Sequence, residues 1–230
     1  MKRTILLEVE GSLGNTKIEK EIDMILLGGL SGRNREEVQR HLRDLENYGI
    51  PTPIRIPVIM RVAVNLLTSE TVIEVQGEKT SGEAEYVFFS HEERVVVTVG
   101  SDHSDNELEK TSSKRSKQVA SKIICPKAWY YEDVRDHWDS LVLRSWISVD
   151  CRQELYQEDE LRALLHIEDL RGLMEDRVGI PLDKALIFSG TIPTTAGIRA
   201  SEVFTFELED PVLGRKLTHG YKVESLPGYY

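Results

Sequence analysis

The chain has 230 residues, of which 40% are hydrophobic and 30% charged, and its formal net charge at pH 7 is −10. This length and apolar content suffice for one large folded domain, alone or with a small appendage, and argue against a disordered chain. The negative charge argues against a nucleic-acid partner, because phosphates would approach a field of their own sign.

Cysteine content and the N-terminal sequence predict the cellular compartment. Cys125 and Cys151 do not indicate a disulfide framework in a chain of this size, so a reducing cytoplasm is expected. The opening run MKRTILLEVEG carries Glu8 and Glu10, which is unlike a secretory signal, and no apolar stretch is long enough to cross a membrane. We therefore predict a soluble cytoplasmic protein without a membrane partner.

The N-terminal quarter is predicted to form a small part of its own. Two runs around turn glycines, at residues 4–10 and 17–27, predict a β-hairpin, and residues 34–49 predict a helix. The prolines that follow favour an extended connection. We place a boundary there, between a small N-terminal part, residues 1–55, and a main domain, residues 56–230.

Strands dominate the predicted main domain. From residue 56 onward, runs rich in Val and Ile alternate with Gly and polar turns. Residues 107–122 are polar and could form a helix, and residues 160–178 predict an amphipathic helix closed by Gly179. The pattern as a whole predicts a strand-dominated α+β fold.

Acidic side chains gather beside apolar strands in the segment SGEAEYVFFSHEERVVVTVGSDHSDNELE, residues 81–109. Glu83 and Glu85 are two residues apart, so they leave the same face of an extended strand, and Asp102 follows the next apolar run. Such carboxylates repel one another unless a cation holds them, and oxygen ligands suit Mg²⁺, Mn²⁺ or Ca²⁺. We predict a metal site with these three ligands. The alternative is the solvated face of a sheet edge.

The order of these residues resembles the fumarylacetoacetate hydrolase superfamily. There, E-x-E and a downstream N-D-x-S-x-R-D-L-Q supply the metal ligands, and Asp102 takes the place of the ligand Asp. Ser104, Glu107 and Glu109 take the places of the Ser, the second Asp and the Gln. Asn106 stands where the family usually has Arg, and it is a candidate for substrate contact.

The resemblance continues to about residue 226. Tyr156 and Gln157 stand near the family's R-Q position, and Gly190 and Thr191 fit its G-T-P segment. The fold implied by this resemblance is a mixed β-roll, preceded here by the hairpin and helix, and commonly assembled as a homodimer. It also implies that Thr191 and the N–H groups around Gly190 hold a substrate carboxylate, with Gln157 as a weaker polar contact.

The resemblance implies a divalent-metal-dependent enzyme that acts on a small 2-oxo acid or β-dicarbonyl compound through an enolate held by Mg²⁺, Mn²⁺ or Ca²⁺. A lysine downstream of the ligand Asp is the family's cationic or acid/base partner. Lys117 and Lys122 both lie at a suitable distance in the sequence, and Lys117 is preferred. His103, next to Asp102, is a second catalytic candidate.

The reaction type stays open. Hydrolases of the superfamily activate water with a His–Glu pair in a segment N-Y-x-x-H-x-x-E, and the stretch NLLTSE, with Asn65 and Glu70, has no His. Hydration, dehydration, decarboxylation and tautomerisation are therefore as well supported as hydrolysis. Two other classes remain as alternatives: a non-catalytic small-molecule-binding or regulatory module that keeps the fold, and a structural oligomerisation protein.

Overall fold

A computed structural model describes residues 1–12, 14–47, 53, 55–150 and 152–228. Its strands are β1 (Arg3–Gly11), β2 (Gly14–Ile22), β3 (Met24–Gly29), β4 (Val58–Val62), β5 (Leu67–Thr68), β6 (Val72–Gln76), β7 (Thr80–Ser81), β8 (Ala84–His91), β9 (Arg94–Asp102), β10 (Ser104–Asp105), β11 (Lys122–Ile124), β12 (Lys127–Tyr130), β13 (Val142–Val149), β14 (Arg152–Glu160), β15 (Ala185–Phe188), β16 (Val203–Asp210) and β17 (Arg215–Leu226). Its α-helices are α1 (Arg35–Asn47), α2 (Asn106–Glu109), α3 (Ser113–Gln118) and α4 (Ile167–Val178). Short 3-10 turns cover Val64–Leu66, Tyr131–Asp133, Arg135–Ser140 and Leu161–Ala163.

Two mixed sheets make up most of the fold. Within the described residues, ten strands form one sheet in the order β2-β1-β12-β9-β8-β15-β3-β4, with β11 beside β9 and β5 beside β11. The order of the second sheet is β14-β13-β16-β17-β6. The pairs β1–β12, β3–β15 and β6–β17 are parallel, whereas β8 pairs with β9 and β15 in the antiparallel sense. The predicted strand-dominated α+β class is confirmed.

The larger sheet is buried on both faces. On one face, Tyr86 and Phe88 of β8 share an apolar core with Phe204 and Phe206 of the second sheet, and α4 packs on the same core. The opposite face lines a second apolar core, to which β1, β2 and β3 of the same sheet also contribute. This explains the nearly continuous apolar runs of β8 and β9, since strands covered on both sides do not alternate with polar residues.

Some element boundaries differ from those predicted. The hairpin is confirmed, with Gly11 opposite Gly14. The run predicted as its second strand is divided at Asp23, so a third strand, β3, follows the hairpin. The polar stretch 107–122 is not one helix, because α2 ends at Glu109 and a new helix, α3, begins after Ser112, whose side chain caps it by accepting the N–H of Arg115. The helix predicted from residue 160 begins only at Ile167, since β14 extends to residue 160.

Strands from the predicted N-terminal part belong to the larger sheet. β1 pairs with β12 and β3 pairs with β15, so residues on both sides of position 55 share one sheet. Residues 48–52 and 54, next to the predicted boundary, lie outside the described residues. The division at residue 55 stays a prediction. In the described part of the chain, no helix combines the length and the apolar character needed to cross a membrane.

The turn between β16 and β17 is built around the buried carboxylate of Asp210. Its Oδ1 accepts hydrogen bonds from the N–H groups of Val212 and Leu213 at 3.1 and 3.0 Å and lies 3.0 Å from His137 Nε2. Its Oδ2 lies 3.2 Å from Arg215 Nε. Burial opposes the charge, but these donors outweigh it and lower the pKa of Asp210.

We expect Asp210→Ala to lower the free energy of unfolding by about 2–4 kcal/mol at pH 7, because it leaves buried donors without an acceptor. A carboxyl with a lowered folded pKa stabilises above its unfolded pKa of about 3.9, and this contribution is lost as the pH falls through the folded pKa. Urea unfolding at several pH values should show the difference from wild type shrinking below about pH 4. Asp136→Ala, at a side chain that is 90% exposed, is the matched control and should change little. A pH-independent difference would contradict the assignment.

Candidate metal centre

Glu83, Glu85 and Asp102 meet where β8 begins and β9 ends. The two strands pair with Glu85 opposite Gly100, and the N–H of Asp102 donates to the carbonyl oxygen of Glu83 at 3.0 Å. The three side chains therefore leave the same face of the sheet. One ligand oxygen from each lies within 4.8 Å of the other two. We call these three residues the acidic cluster.

The acidic cluster is not a solvated sheet edge. β8 lies between β9 and β15, inside the larger sheet. The side chain of Glu83 is 23% exposed and that of Asp102 only 3%, and Glu85 is buried. The interpretation as an exposed sheet edge is therefore wrong, and Glu83 marks the side from which the cluster can be reached.

Two glycines let the backbone close around the cluster. A Cβ at Gly100 would lie 2.6 Å from the carbonyl oxygen of Ile123, in the adjoining strand β11. Gly190, which follows β15, has φ +92°, and a Cβ there would lie 2.3 Å from Ser31 Oγ. Neither position has room for a side chain, and Gly190 also needs a backbone conformation that other residues rarely adopt.

Two buried lysines compensate part of the acidic charge. Lys117 Nζ lies 2.5 Å from Glu83 Oε2 and 3.0 Å from Asp102 Oδ2. Lys122 Nζ lies 2.9 Å from Asp102 Oδ1 and donates to the carbonyl oxygens of His103 and Ala120 at 2.8 and 2.9 Å. Two of these oxygens accept hydrogen bonds from Lys122 and the third forms an ion pair with it, whereas Lys117 has only Glu83 and Asp102 as ion-pair partners among the described residues. Of the two predicted lysines, Lys117 therefore has the greater capacity for a further contact.

Glu85 has a single polar contact of a different kind. Its Oε2 accepts the N–H of Gly190 at 2.8 Å, and among the described residues no lysine or arginine pairs with it. Three carboxylates therefore face two ammonium groups, which leaves one negative charge uncompensated. Burial, together with Asp102 and Glu83, raises the pKa of Glu85 well above its usual range.

The pKa values of the other two members of the cluster shift in opposite directions, because Glu83 contacts one lysine and Asp102 contacts two. Burial raises the pKa of Glu83 in spite of Lys117. Burial acts in the same sense on Asp102, but Lys117 and Lys122 outweigh it and lower the pKa of that carboxyl. Burial alone would lower the pKa of Lys117, and Asp102 and Glu83 overcome it and raise that pKa well above its ordinary value. Lys117 is therefore an ammonium ion at neutral pH.

The donor set fits a hard divalent cation. Mg²⁺, Mn²⁺ and Ca²⁺ bind carboxylate oxygens, and the acidic cluster offers three carboxylates with one uncompensated negative charge. A cation there would offset the repulsion that raises the pKa of Glu85. No second group of three such ligands occurs in the described residues.

Gln157 and Thr191 lie beside the cluster, with their polar atoms bonded to the protein. Gln157 Oε1 accepts from the N–H of Ala84 at 3.0 Å and from Ser145 Oγ at 2.7 Å. Gln157 Nε2 donates to Thr191 Oγ1 and to the carbonyl oxygen of Ile192, both at 2.7 Å. Thr191 Oγ1 in turn donates to the carbonyl oxygen of Ala84 at 2.8 Å. The two side chains hold the turn after β15 against the start of β8.

His103 is not brought together with the carboxylates. Its Nδ1 lies 2.8 Å from the hydroxyl of Tyr221, which also bonds Ser101 Oγ at 2.9 Å. Ser101 and His103 alternate with Asp102 along the chain, so the imidazole leaves the opposite face. Burial and Lys122 lower the pKa of His103 to about 3, so the ring is neutral. The structure gives this predicted catalytic residue a structural hydrogen bond instead.

Further polar side chains lie near Glu83. Ser81 Oγ donates to Asn106 Oδ1 at 2.9 Å, and the hydroxyl of Tyr156 lies beside Ser81 and close to Glu83. Glu109 adds negative charge near Glu83 and Lys117. Sequence reasoning named Asn106 but did not assign Ser81 to the site. Its position two residues before Glu83, on the same face of the strand, was the available signal.

The remaining residues of the acidic motif lie outside the cluster. Glu107 is exposed and pairs with Lys79 at 2.8 Å. Ser104 is buried, and its Oγ donates to the carbonyl oxygen of Asp102 at 3.3 Å. A separate groove of about 790 Å³ lies between the β4 edge and the end of α4, and none of the predicted site residues, all of which are described, lines it.

Comparison with known families places the chain in one of them. The family described as "Protein of unknown function (DUF2848)" matches residues 28–221. The chain belongs to the DUF2848 family. No curated protein matches this DUF2848 chain in sequence.

Solved structures share the fold of the DUF2848 chain at low sequence identity. A candidate fumarylacetoacetate isomerase/hydrolase from Oleispira antarctica is 15% identical, with a TM-score of 0.67, and 94% of this chain and 99% of that chain are covered. A candidate fumarylpyruvate hydrolase from Burkholderia cenocepacia is 14% identical, with a TM-score of 0.64 and 96% of each chain covered. A 2-keto-3-deoxy-D-arabinonate dehydratase complexed with magnesium and 2,5-dioxopentanoate is 15% identical, with a TM-score of 0.62, covering 90% of this chain and 74% of that chain. The fold expected from the resemblance to the fumarylacetoacetate hydrolase superfamily is confirmed.

Proposed function

We propose that this DUF2848 protein is a divalent-metal-dependent enzyme that converts a small 2-oxo acid or β-dicarbonyl compound through an enolate. The observation that carries the proposal is the acidic cluster, in which three carboxylates lie within 4.8 Å of one another inside the fold. The likeness to a dehydratase complexed with magnesium supports the same conclusion. The metal would be Mg²⁺, Mn²⁺ or Ca²⁺.

Glu83, Glu85 and Asp102 would hold the cation, which supplies a Lewis acid for the oxygens of the substrate. The Gly190 N–H keeps Glu85 turned towards the cluster. Lys122, fully buried and held by two carbonyl oxygens, forms an ion pair that favours one orientation of Asp102. These contacts position the donors before a substrate arrives, which lowers the cost of ordering them on binding.

Lys117 would act on the substrate directly. Its remaining N–H can bond the substrate carboxylate, and its charge favours the negative charge that develops on the enolate oxygen. Asp102 and Glu83 raise the pKa of Lys117, which favours a role as a cation beside the substrate over a role as a base. The side chains of Thr191 and Gln157 support the turn around Gly190.

The geometry favours the enzyme over the two other classes. A non-catalytic module with lost chemistry was expected to have Lys117 far from the carboxylates, yet its Nζ lies 2.5 Å from Glu83. A purely structural protein was expected to have Glu83 and Glu85 exposed and apart, yet their oxygens converge on Asp102. Assembly as a cytoplasmic homodimer stays a prediction.

Hydrolysis remains among the candidate reactions. The stretch around Asn65 and Glu70 is the one that lacks the His of the water-activating pair. α1 carries His41 and Asp44, which have the spacing of an H-x-x-E pair with Asp in place of Glu. Their side chains lie outside those that the structure describes, so the pair is defined here by sequence and by its helix alone.

We expect Mg²⁺, Mn²⁺ or Ca²⁺ to raise the melting temperature of the purified protein. A cation at a hundred times its Kd stabilises by about 2.7 kcal/mol, which corresponds to roughly 5 to 10 °C for a chain of this size. Differential scanning fluorimetry after chelator treatment measures the shift. Glu83→Ala should lose it, and the exposed neighbour Glu107→Gln should keep it.

No shift with any of the three cations, together with unchanged affinity of Glu83→Ala for oxalate or pyruvate, would refute the proposal. The reaction type is identified by incubating the protein with a panel of 2-oxo acids and Mg²⁺ or Mn²⁺ and following the products by proton NMR. This measurement separates bond cleavage, loss of water, loss of carbon dioxide and tautomerisation by their products.

A further inference from the structure

The groove between β4 and the end of α4 has the size and the apolar lining of a small-molecule site. Its volume is about 790 Å³. Met24 and Leu26 of β3 line it and are buried, so they form its floor. Ile59 of β4 and Val178 of α4 add apolar surface, and Ile180 contributes a side chain that is 47% exposed. No member of the acidic cluster lines the groove, so its occupant is not the substrate of the proposed reaction.

Three arginines line the same groove. Arg177 is held in place, because its guanidinium donates to the carbonyl oxygen of Pro57 at 2.5 Å and to that of Ile56 at 3.0 Å. Three of its five N–H groups remain outside these two bonds. Arg55 and Arg61 are exposed. The described lining residues include no Asp or Glu, so the groove is lined by positive charge in a chain whose net charge is −10.

Charge and polarity together limit what the groove can hold. The guanidinium groups repel a metal ion or an organic cation. An inorganic anion would pair with the arginines but would leave the apolar floor exposed to water. A nucleic acid would meet the negative field of the rest of the chain. An organic anion with an apolar body satisfies both parts of the lining, because guanidinium groups bind carboxylates through paired hydrogen bonds and the body covers the floor.

We infer that this groove binds an amphipathic carboxylate, which is an alkyl chain or a ring that ends in a carboxylate group. The apolar body lies on Met24 and Leu26, and the carboxylate binds the guanidinium groups of Arg61 and Arg177. The inference goes beyond the proposed function, because it assigns a second ligand to a separate part of the fold. Binding there needs no divalent cation.

Three ligands test the inference in ligand-observed NMR titrations of the full chain. Octanoate has both the apolar chain and the carboxylate, octan-1-ol has only the chain, and acetate has only the carboxylate. We expect octanoate to bind at least about tenfold tighter than either of the others. No detectable binding of octanoate would overturn the inference, and so would octan-1-ol binding as tightly as octanoate.

The same titration with Mg²⁺ and with a chelator separates this site from the acidic cluster. Octanoate should bind equally well in both conditions, and Glu83→Ala should bind it like the wild type. Octanoate binding that requires the cation would place the carboxylate at the acidic cluster. That result would overturn the inference and leave the proposed function intact.

Arg61→Gln tests the role of the positive charge. The change should weaken octanoate binding at least about fivefold and change octan-1-ol binding less than about twofold, because only octanoate carries a charge. Arg3→Gln is the matched control, since Arg3 is also an exposed arginine on a strand but lies in β1, towards the other end of the larger sheet. It should leave both affinities unchanged. Equal effects of the two substitutions would overturn the assignment of the carboxylate.

Ile180→Ser tests the apolar part of the groove. It should weaken octanoate and octan-1-ol alike, by at least about threefold, because the chain loses apolar contact area. The control is Ile198→Ser, at an isoleucine that is 60% exposed and does not line the groove. Thermal unfolding confirms that each variant is folded. Unchanged affinities in Ile180→Ser would overturn the assignment of this groove as the binding site.

Discussion

Replacing Glu85 by Gln is expected to stabilise the protein in the absence of divalent cations and to abolish its response to them. Glu85 is the carboxylate of the acidic cluster without a lysine partner, and burial with two neighbouring carboxylates raises its pKa well above the usual range. Gln keeps an oxygen that can accept the Gly190 N–H and removes the repelling charge. We expect a gain of about 1–3 kcal/mol in the free energy of unfolding, because an unpaired buried charge is costly.

The sign of the pH dependence distinguishes the two proteins. A carboxyl whose folded pKa exceeds its unfolded value of about 4.3 lowers stability as the pH rises through that interval. The wild type in the presence of a chelator should therefore lose stability from about pH 4.3 upward, until the folded pKa of Glu85 is passed. Glu85→Gln should show a smaller loss, namely the part that comes from the raised pKa of Glu83.

Urea unfolding with chelator and with excess Mg²⁺ measures both effects. The control is Glu175→Gln, at an exposed carboxylate of α4 that pairs with Arg171 and should contribute no more than about 0.5 kcal/mol. If Glu85→Gln is less stable than wild type in chelator, or if it still gains stability from Mg²⁺, the account of the cluster is wrong.

Replacing Asp102 by Asn is expected to destabilise the protein, in contrast to Glu85→Gln. Asp102 is the counterion of Lys122, whose side chain is fully buried, and it also contacts Lys117 at 3.0 Å. Loss of its charge leaves a buried ammonium uncompensated. The expected decrease in the free energy of unfolding is about 3–5 kcal/mol, the usual cost of removing one partner of a buried ion pair.

The double variant Asp102→Asn with Lys122→Met tests the reason for the loss. If the uncompensated ammonium is the cause, Lys122→Met should restore part of the stability, and the two substitutions should be coupled by more than about 1 kcal/mol in a double-mutant cycle. The double variant also keeps the test decisive where the single variant yields too little folded protein. An Asp102→Asn protein within about 1 kcal/mol of wild type would contradict the ion-pair assignment.

Local sequence pattern predicted those features that depend on neighbouring residues. The i, i+2 spacing put Glu83 and Glu85 on one face, and the turn glycines located the first hairpin. Asp102 was grouped with them because acidic residues crowd after the next apolar run and because their order resembles the fumarylacetoacetate hydrolase superfamily. The spacing and the hairpin needed only the period of a strand and the positions of turn residues.

Local sequence pattern could not predict which distant strands pair with each other. β3 pairs with β15 about 160 positions along the chain, and no local period indicates that partnership. The choice between Lys117 and Lys122 depends on how many oxygens surround each ammonium group. Only the structure shows that Lys122, in β11, is surrounded by three. His103 follows Asp102 in sequence but leaves the opposite face of the strand, where it contacts the hydroxyl of Tyr221.

The saturated amide of Gln157 has a consequence for the order of folding. Its four hydrogen bonds join β14 and β13 of one sheet to the start of β8 and the turn after β15 of the other, across separations of 73 residues to Ala84 and 35 residues to Ile192. Contacts between such distant segments form late, because closing a long loop costs chain entropy before the contacts can compensate for it. The turn that carries Gly190 gains its contacts with Gln157 only when both sheets have docked. Cation affinity should therefore emerge at the end of refolding, so that binding of the ion reports completed assembly of the whole chain and not of any single sheet.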